Sequence, residues 1–187
     1  QNNISYYESG ISHGTITATI EGKKFEITSL RKDIRTDGRH AKVEFSDNWY
    51  EDASRRDFTI NSIYSDLDGN LYDPFNGKDD LKKGIVKFIG DPDKRIKEDY
   101  LRILRYIRFF INYSKFKHLE SVKKTIKQNI AGVTKISSDR LLSELKKILN
   151  SNFFFKIYSD KFCLEIIKLV FPQLKNINLI KKLNKYA

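Results

Sequence analysis

The chain of 187 residues has no methionine, one cysteine, one tryptophan and only three prolines. A single cysteine excludes a disulfide framework and a CxxC metal site. Cys163 itself lies in an apolar helical run and is expected to be a buried hydrophobe. Without a methionine, Gln1 is not an initiator, and the polar opening from Gln1 to Ser9 has no evident strand before it. Both features predict a piece of a longer protein. No apolar run approaches the ~18 residues that span a bilayer, and no signal peptide is visible, so no membrane partner and a cytoplasmic location are expected. Acidic residues are also in deficit, 24 against 35 lysines and arginines, for a formal net charge of +11. That imbalance favours a polyanionic partner, nucleic acid first, the plainer alternative being a solvated basic surface.

Apolar residues make up 40% of the chain, with 13 Phe and 10 Tyr, enough for a real core. Thr15 to Ile20 reads as a strand, Glu21 to Lys24 as a turn and Phe25 to Arg31 as a second strand of a hairpin. Glu26 is either a solvent-face charge or a site residue. Lys32 to Asp52 is polar, with a turn at Asp37-Gly38-Arg39-His40 and a short β-like run from Ala41 to Phe45. A stretch of that length with little periodicity is usually functional. His40 has no second histidine at ligand spacing. Arg55-Arg56-Asp57-Phe58-Thr59-Ile60-Asn61 offers two guanidinium forks for phosphate oxygens. Asp57 and Asn61 share a face if the segment is helical, to hold a ribose hydroxyl or to brace one another. Asp73 to Leu81 reads as a turn into a helix, and Ile85 to Ile89 as a strand. Beyond Phe110 only helices are expected: 119–130, 140–149 with a cap at Ser137-Ser138-Asp139, and apolar runs at 153–158, 162–171 and 177–183.

The stretch from Glu98 to Arg108, EDYLRILRYIR, reads as one helix. Leu101, Leu104, Ile107 and Ile111 form a single buried stripe. Asp99, Arg102, Arg105 and Arg108 stand beside it at three-residue steps, so Asp99 and Arg102 are expected as helix-surface neighbours. A carboxylate that only accepts, next to a guanidinium that only donates, matches one edge of cytosine and of adenine. Each base offers an exocyclic amino donor beside a ring-nitrogen acceptor. Uracil and guanine present the reverse order. The plainer alternative is a surface helix laced with ion pairs.

These stretches in this order resemble the class II tRNA nucleotidyltransferase family, the CCA-adding enzymes and bacterial poly(A) polymerases. The resemblance runs from about Gly10 to Leu149 through FEITSLRKD, DGRH, RRDFTIN, DPFNGKDDL, IGDPDKRIKEDYLRILRYIRF and SSDRLLSELKKIL. It implies an α+β fold, part of a DNA polymerase β-like nucleotidyltransferase head with a mixed sheet (1–92), then an all-α neck and the start of the body (93–187). It implies that the whole enzyme adds C, C and A to tRNA 3′ ends from CTP and ATP. A poly(A) polymerase of the same family and a non-catalytic RNA- or nucleotide-binding fragment are the alternatives. Arg56, Asp57 and Asn61 match the element that engages the incoming ribose and triphosphate. Asp99 and Arg102 match the protein template that selects the base, Arg105 and Arg108 match further nucleotide-contacting arginines, and Glu26 matches a third catalytic carboxylate. The 32–52 stretch matches the flexible loop tied to the switch from C to A. Two Mg²⁺ ions are implied as cofactor, but the family's Gly-Gly loop and Asp-x-Asp metal pair have no counterpart. The only Asp-x-Asp runs are Asp66-Leu67-Asp68, which meets a turn, and Asp91-Pro92-Asp93, which opens a helix. The chain alone is therefore expected to be inactive.

Overall fold

The computed structural model describes residues 4–10, 14–35 and 42–174. Backbone contacts divide the chain into two compact units, Gln1–Arg56 and Asp57–Ala187.

The first unit is mostly strand. β1 (Ser5–Gly10), β2 (Thr15–Ile20) and β3 (Lys23–Thr28) form an antiparallel sheet in the order β1-β2-β3. The expected hairpin is present, with Thr15 opposite Thr28 and Ile20 opposite Lys23. Its turn places Glu21 and Gly22 at positive φ, which suits Gly22 and is tolerated at Glu21 only because the turn is two residues long. β1 is an edge strand within the polar opening. SYYESG is polar because an edge strand in a small sheet has little interior to face. β4 (Arg31–Arg35) and β5 (Lys42–Phe45) pair antiparallel, and α1 (Trp49–Ser54) follows. Asn48 caps α1, its Oδ1 accepting from the backbone N–H of Tyr50 at 2.9 Å. The polar 32–52 stretch thus holds two strands and a helix, while its turn from Asp37 to His40 lies outside the described residues. Each sheet among the described residues is antiparallel. The expected mixed sheet is not seen, since a parallel pair needs a long crossover and these strands are joined by short turns.

The second unit carries the larger core. After a single 3₁₀ turn (Thr59–Asn61) come β6 (Tyr64–Ser65) and β7 (Leu71–Tyr72), a minimal antiparallel pair. α2 (Gly77–Lys83), α3 (Pro92–Glu98), α4 (Arg102–Tyr113), α5 (Glu120–Asn129), α6 (Ser138–Leu149), α7 (Lys156–Ser159) and α8 (Lys161–Val170) complete it. The strand expected over 85–89 is only one bridge, Phe58 opposite Phe88. Two backbone bonds flank it, Thr59 N–H to Lys87 O and Ile89 N–H to Asp57 O, both 3.0 Å. Its apolar residues are there to fill the core, not to extend a sheet. The run 177–183 lies outside the described residues.

The core is built on α4. Leu101, Leu104, Ile107 and Ile111 are buried as the spacing requires. Ile103, Tyr106, Phe109 and Phe110 are buried as well. α4 is therefore enclosed on nearly every side; apart from Tyr113 at its C-terminal end, its open residues, Arg105, Arg108 and Asn112, fall at helical spacing on one strip. Phe58 packs against Phe88 and Phe109 with ring centroids 4.8 and 4.9 Å apart. Burying one such aromatic contributes on the order of 2–3 kcal/mol.

Candidate nucleotide site

The stretch from Glu98 to Arg108 is two helices and not one. α3 ends at Glu98, Asp99 is extended at φ −153°, ψ 106°, and α4 begins at Arg102. The break is locally satisfied. Asp99 Oδ1 accepts from Leu101 N–H at 3.1 Å and its carbonyl accepts from Arg102 N–H at 3.0 Å. Asp99 thus serves the start of α4 as a capping residue does. Its regular spacing from the arginines hid the break, because a short polar residue that fits a helical period also fits a cap.

The break separates the two residues expected as surface neighbours. Asp99 Oδ2 receives Arg140 Nη2 of α6 at 2.7 Å. Arg102 is buried and turns the other way. Its Nε donates to Asp57 Oδ1 at 2.9 Å, and its Nη1 to Glu98 Oε2 and Arg95 O, both at 2.6 Å. Asp57 is the hub of this cluster, since its Oδ2 also accepts from Arg105 Nε. Asp57 and Asn61 do not share a helical face. Asn61 Oδ1 instead accepts from Phe58 N–H at 3.1 Å and closes the 3₁₀ turn. Asp57 thus holds arginines, and Asn61 holds the turn that follows.

Arg105 and Arg108 repeat one arrangement along the open strip of α4. Arg108 Nε donates to Glu144 Oε1 of α6 at 2.5 Å, as Arg105 Nε does to Asp57. Both acceptors are buried carboxylates. Each guanidinium is fixed through Nε, and among the described residues neither makes a further ion pair through its terminal amino groups. Two pre-oriented forks one helical turn apart have the chemistry to hold a multiply charged anion. Glu144 was not visible as a site residue in the sequence. Its one signal was an acidic residue among the apolar positions of α6.

The first unit holds a parallel case. Asp52 of α1 is buried and gathers both arginines of the RRD run. Arg55 Nη2 donates to its Oδ1 at 2.6 Å, and Arg56 Nη2 to its Oδ2 at 3.1 Å. Arg56 keeps more of its side chain open, 37% against 19% for Arg55. Glu26 lies on β3, which is exposed along its whole length.

The described residues do not fit a two-ion carboxylate centre. Asp66 accepts from Asn70 Nδ2 at 2.8 Å and from the Asp68 N–H, and the Asn70 bond holds its carboxyl below the usual range. Asp91 caps α3 through Lys94 N–H at 2.9 Å. Asp93 is taken by Lys97 and Asn129, the Lys97 bond first in lowering its carboxyl. Both Asp-x-Asp runs are thus spent on turns and helix ends.

Comparison with known proteins bears on the same residues. The poly A polymerase head domain profile matches residues 1–87, and a profile described as the probable RNA and SrmB-binding site of polymerase A matches 115–178. The chain is 50% identical over 145 residues to the mitochondrial CCA tRNA nucleotidyltransferase 1 of Danio rerio and 51% to that of Homo sapiens, covering 76% of this chain in each case. It is 42% identical over 146 residues to the CCA-adding enzyme of Lactobacillus helveticus. It spans about a third of these relatives, 34%, 33% and 36% of their lengths. Among solved structures, the Bacillus stearothermophilus CCA-adding enzyme in complex with CTP aligns with TM-score 0.72 at 30% identity, over 87% of this chain and 38% of that one.

Proposed function

Because the chain belongs to the family of CCA-adding tRNA nucleotidyltransferases and poly(A) polymerases, we propose that it is the nucleotide-selecting part of a template-independent CCA tRNA nucleotidyltransferase. In this reading the whole enzyme adds C, C and A to tRNA 3′ ends from CTP and ATP. Residues 1–92 serve as the head portion and 93–187 as the neck and the start of the body.

One observation carries the reading. Arg105 and Arg108 are held by Nε against buried carboxylates and offer their terminal amino groups from the single open strip of α4. That is how a polyphosphate is gripped with little loss of side-chain entropy on binding. Asp57 acts by orienting Arg102 and Arg105. Arg56 adds a further guanidinium, and Asn61 fixes the turn after Asp57. Asp99 and Arg102 read the base by exchanging partners. The exocyclic amino group of cytosine or adenine replaces Arg140 as donor to Asp99. The ring nitrogen replaces an acceptor now held by Arg102. Uracil and guanine would set acceptor against Asp99 and donor against Arg102, leaving buried polar groups unpaired at about 1–3 kcal/mol each.

Nucleotidyl transfer uses divalent metal, here proposed to be Mg²⁺ with Glu26 as a contributing carboxylate. The described residues do not by themselves fit its two-ion site, so no step is assigned to them through the metal. The tRNA partner is supported by the lysine face of α5, Lys123, Lys124 and Lys127, which falls within the span similar to an RNA-binding profile. The cytoplasm is the proposed location, the mitochondrion the rival, since the zebrafish and human relatives carry that word in their names.

The test is base selection. In the full enzyme containing this chain, Asp99→Ala is expected to let UTP and GTP compete with CTP and ATP. Unchanged strictness would end the template reading. Incorporation of ATP without CTP would favour the poly(A) polymerase alternative. This chain alone, given labelled ATP and tRNA lacking its 3′ end, is expected to incorporate nothing.

A further inference from the structure

Away from the nucleotide site, three different donor groups converge in the second unit. His118 precedes α5, Asp160 caps α8, and Cys163 is the first-turn residue that receives that cap. His118 Nε2 lies 3.1 Å from Asp160 Oδ1 and 3.6 Å from Cys163 Sγ. Their ligand atoms all lie within 4.8 Å of one another, and no other group of three such residues occurs among the described residues. From these positions we infer that His118, Asp160 and Cys163 bind a zinc-class divalent cation.

The two separations from His118 Nε2 fit that ion. Bond lengths of about 2.0–2.1 Å to nitrogen, 2.0–2.2 Å to oxygen and 2.3 Å to sulfur, set tetrahedrally, place nitrogen about 3.3 Å from oxygen and about 3.6 Å from sulfur. The donor set also fits. Thiolate with imidazole selects zinc-like ions over Mg²⁺ or Ca²⁺, which prefer oxygen. A fourth position remains for water or an incoming group.

The imidazole is oriented before any ion arrives. Tyr106 Oη sits 3.0 Å from Nδ1 and leaves Nε2 aimed at Asp160 and Cys163. The ring stacks on Phe110 at 3.5 Å between centroids and meets the edge of Phe162 at 4.8 Å. A partner on the far ring nitrogen is the usual outer support of a metal-bound histidine. On binding, the Cys163 thiol gives its proton to solvent and His118 ligates through the Nε2 lone pair. Its own proton moves to Nδ1, and that N–H donates a hydrogen bond to Tyr106 Oη. The side chain of Asp160, 28% exposed against 4% for His118, gives the ion its way in. The plain rival is a polar network that ties α8 to α4 and binds nothing.

The experiment uses the whole chain, stripped with chelator and titrated with Co²⁺ alone and then with Zn²⁺ alone. Binding of one equivalent is expected, with a thiolate-to-cobalt charge-transfer band that Zn²⁺ displaces and Cys163→Ser abolishes. Tyr106→Phe should weaken binding about 10- to 100-fold. Asp160→Asn keeps the helix cap, so it tests the ligand role even if Cys163→Ser fails to fold. Absence of saturable Co²⁺ binding would overturn the inference. So would a charge-transfer band surviving Cys163→Ser, or affinity unchanged by Asp160→Asn in a protein whose circular dichroism matches the parent.

Discussion

At the scale of single residues, the arginines of α4 fall into two kinds. Arg102 is enclosed by Asp57, Glu98 and the Arg95 carbonyl, whereas Arg105 and Arg108 touch their carboxylates by one edge only. Arg102→Ala leaves Asp57 with Arg105 and Glu98 with Arg95, but it removes the enclosed donor of a buried carboxylate and should destabilise the fold by about 1–3 kcal/mol, read as a lower midpoint in urea. Arg105→Ala leaves Asp57 paired to Arg102. Its effect should fall on ligand, with CTP affinity by calorimetry reduced by about 1.5–3 kcal/mol and the melting temperature nearly unmoved. The arginines themselves were legible in the sequence, because three-residue spacing beside an apolar stripe already marks a shared edge. Their carboxylate partners were not. Asp57 to Arg105 and Glu144 to Arg108 are contacts across 48 and 36 residues, which no local pattern encodes. The same holds for His118 and Cys163, 45 residues apart.

At the scale of elements, helices with one clear apolar face were read nearly to their ends, as α5 and α6 show. The β2–β3 hairpin was legible from alternation and its turn. What failed was the junction between α3 and α4, where the period runs on through Asp99 although the backbone does not. That junction is tightly walled. A Cβ at Gly132 would lie 2.1 Å from Tyr100 Cε1, and Tyr100 is the middle residue of the break. Gly132→Ala should therefore push the Asp99–Leu101 segment and cost about 1–3 kcal/mol, with loss of base discrimination in the full enzyme beyond what the stability change explains. α3 is also tied to α5, since Asp93 accepts from Lys97 at 2.6 Å and from Asn129 at 2.8 Å. These bonds hold the Asp93 carboxyl below its unfolded value. Its contribution is therefore complete above the unfolded value and is lost as pH falls below that value through the folded one. Asp93→Asn should flatten that part of the acid-unfolding curve, as followed by circular dichroism.

At the scale of the whole molecule, a formal charge of +11 makes association with RNA an ion-exchange process. Affinity for a tRNA 3′ end should fall linearly on a log–log plot against salt, with a slope of about −0.7 for each phosphate neutralised on a single strand. Lys124→Glu should shrink that slope, and a flat plot would count against an RNA partner. The composition alone already favours this partner class, because net charge needs no geometry. The salt bridge from Arg140 to Asp99 reaches further than either residue. It joins the carboxylate proposed to read the base to a helix 41 positions downstream. Anyone re-engineering the enzyme's alphabet toward uridine or guanosine must edit two addresses, because a neutral or basic side chain at 99 withdraws a counter-charge from 140. The letter code proposed for this scaffold is in that sense written jointly by the α3–α4 junction and α6.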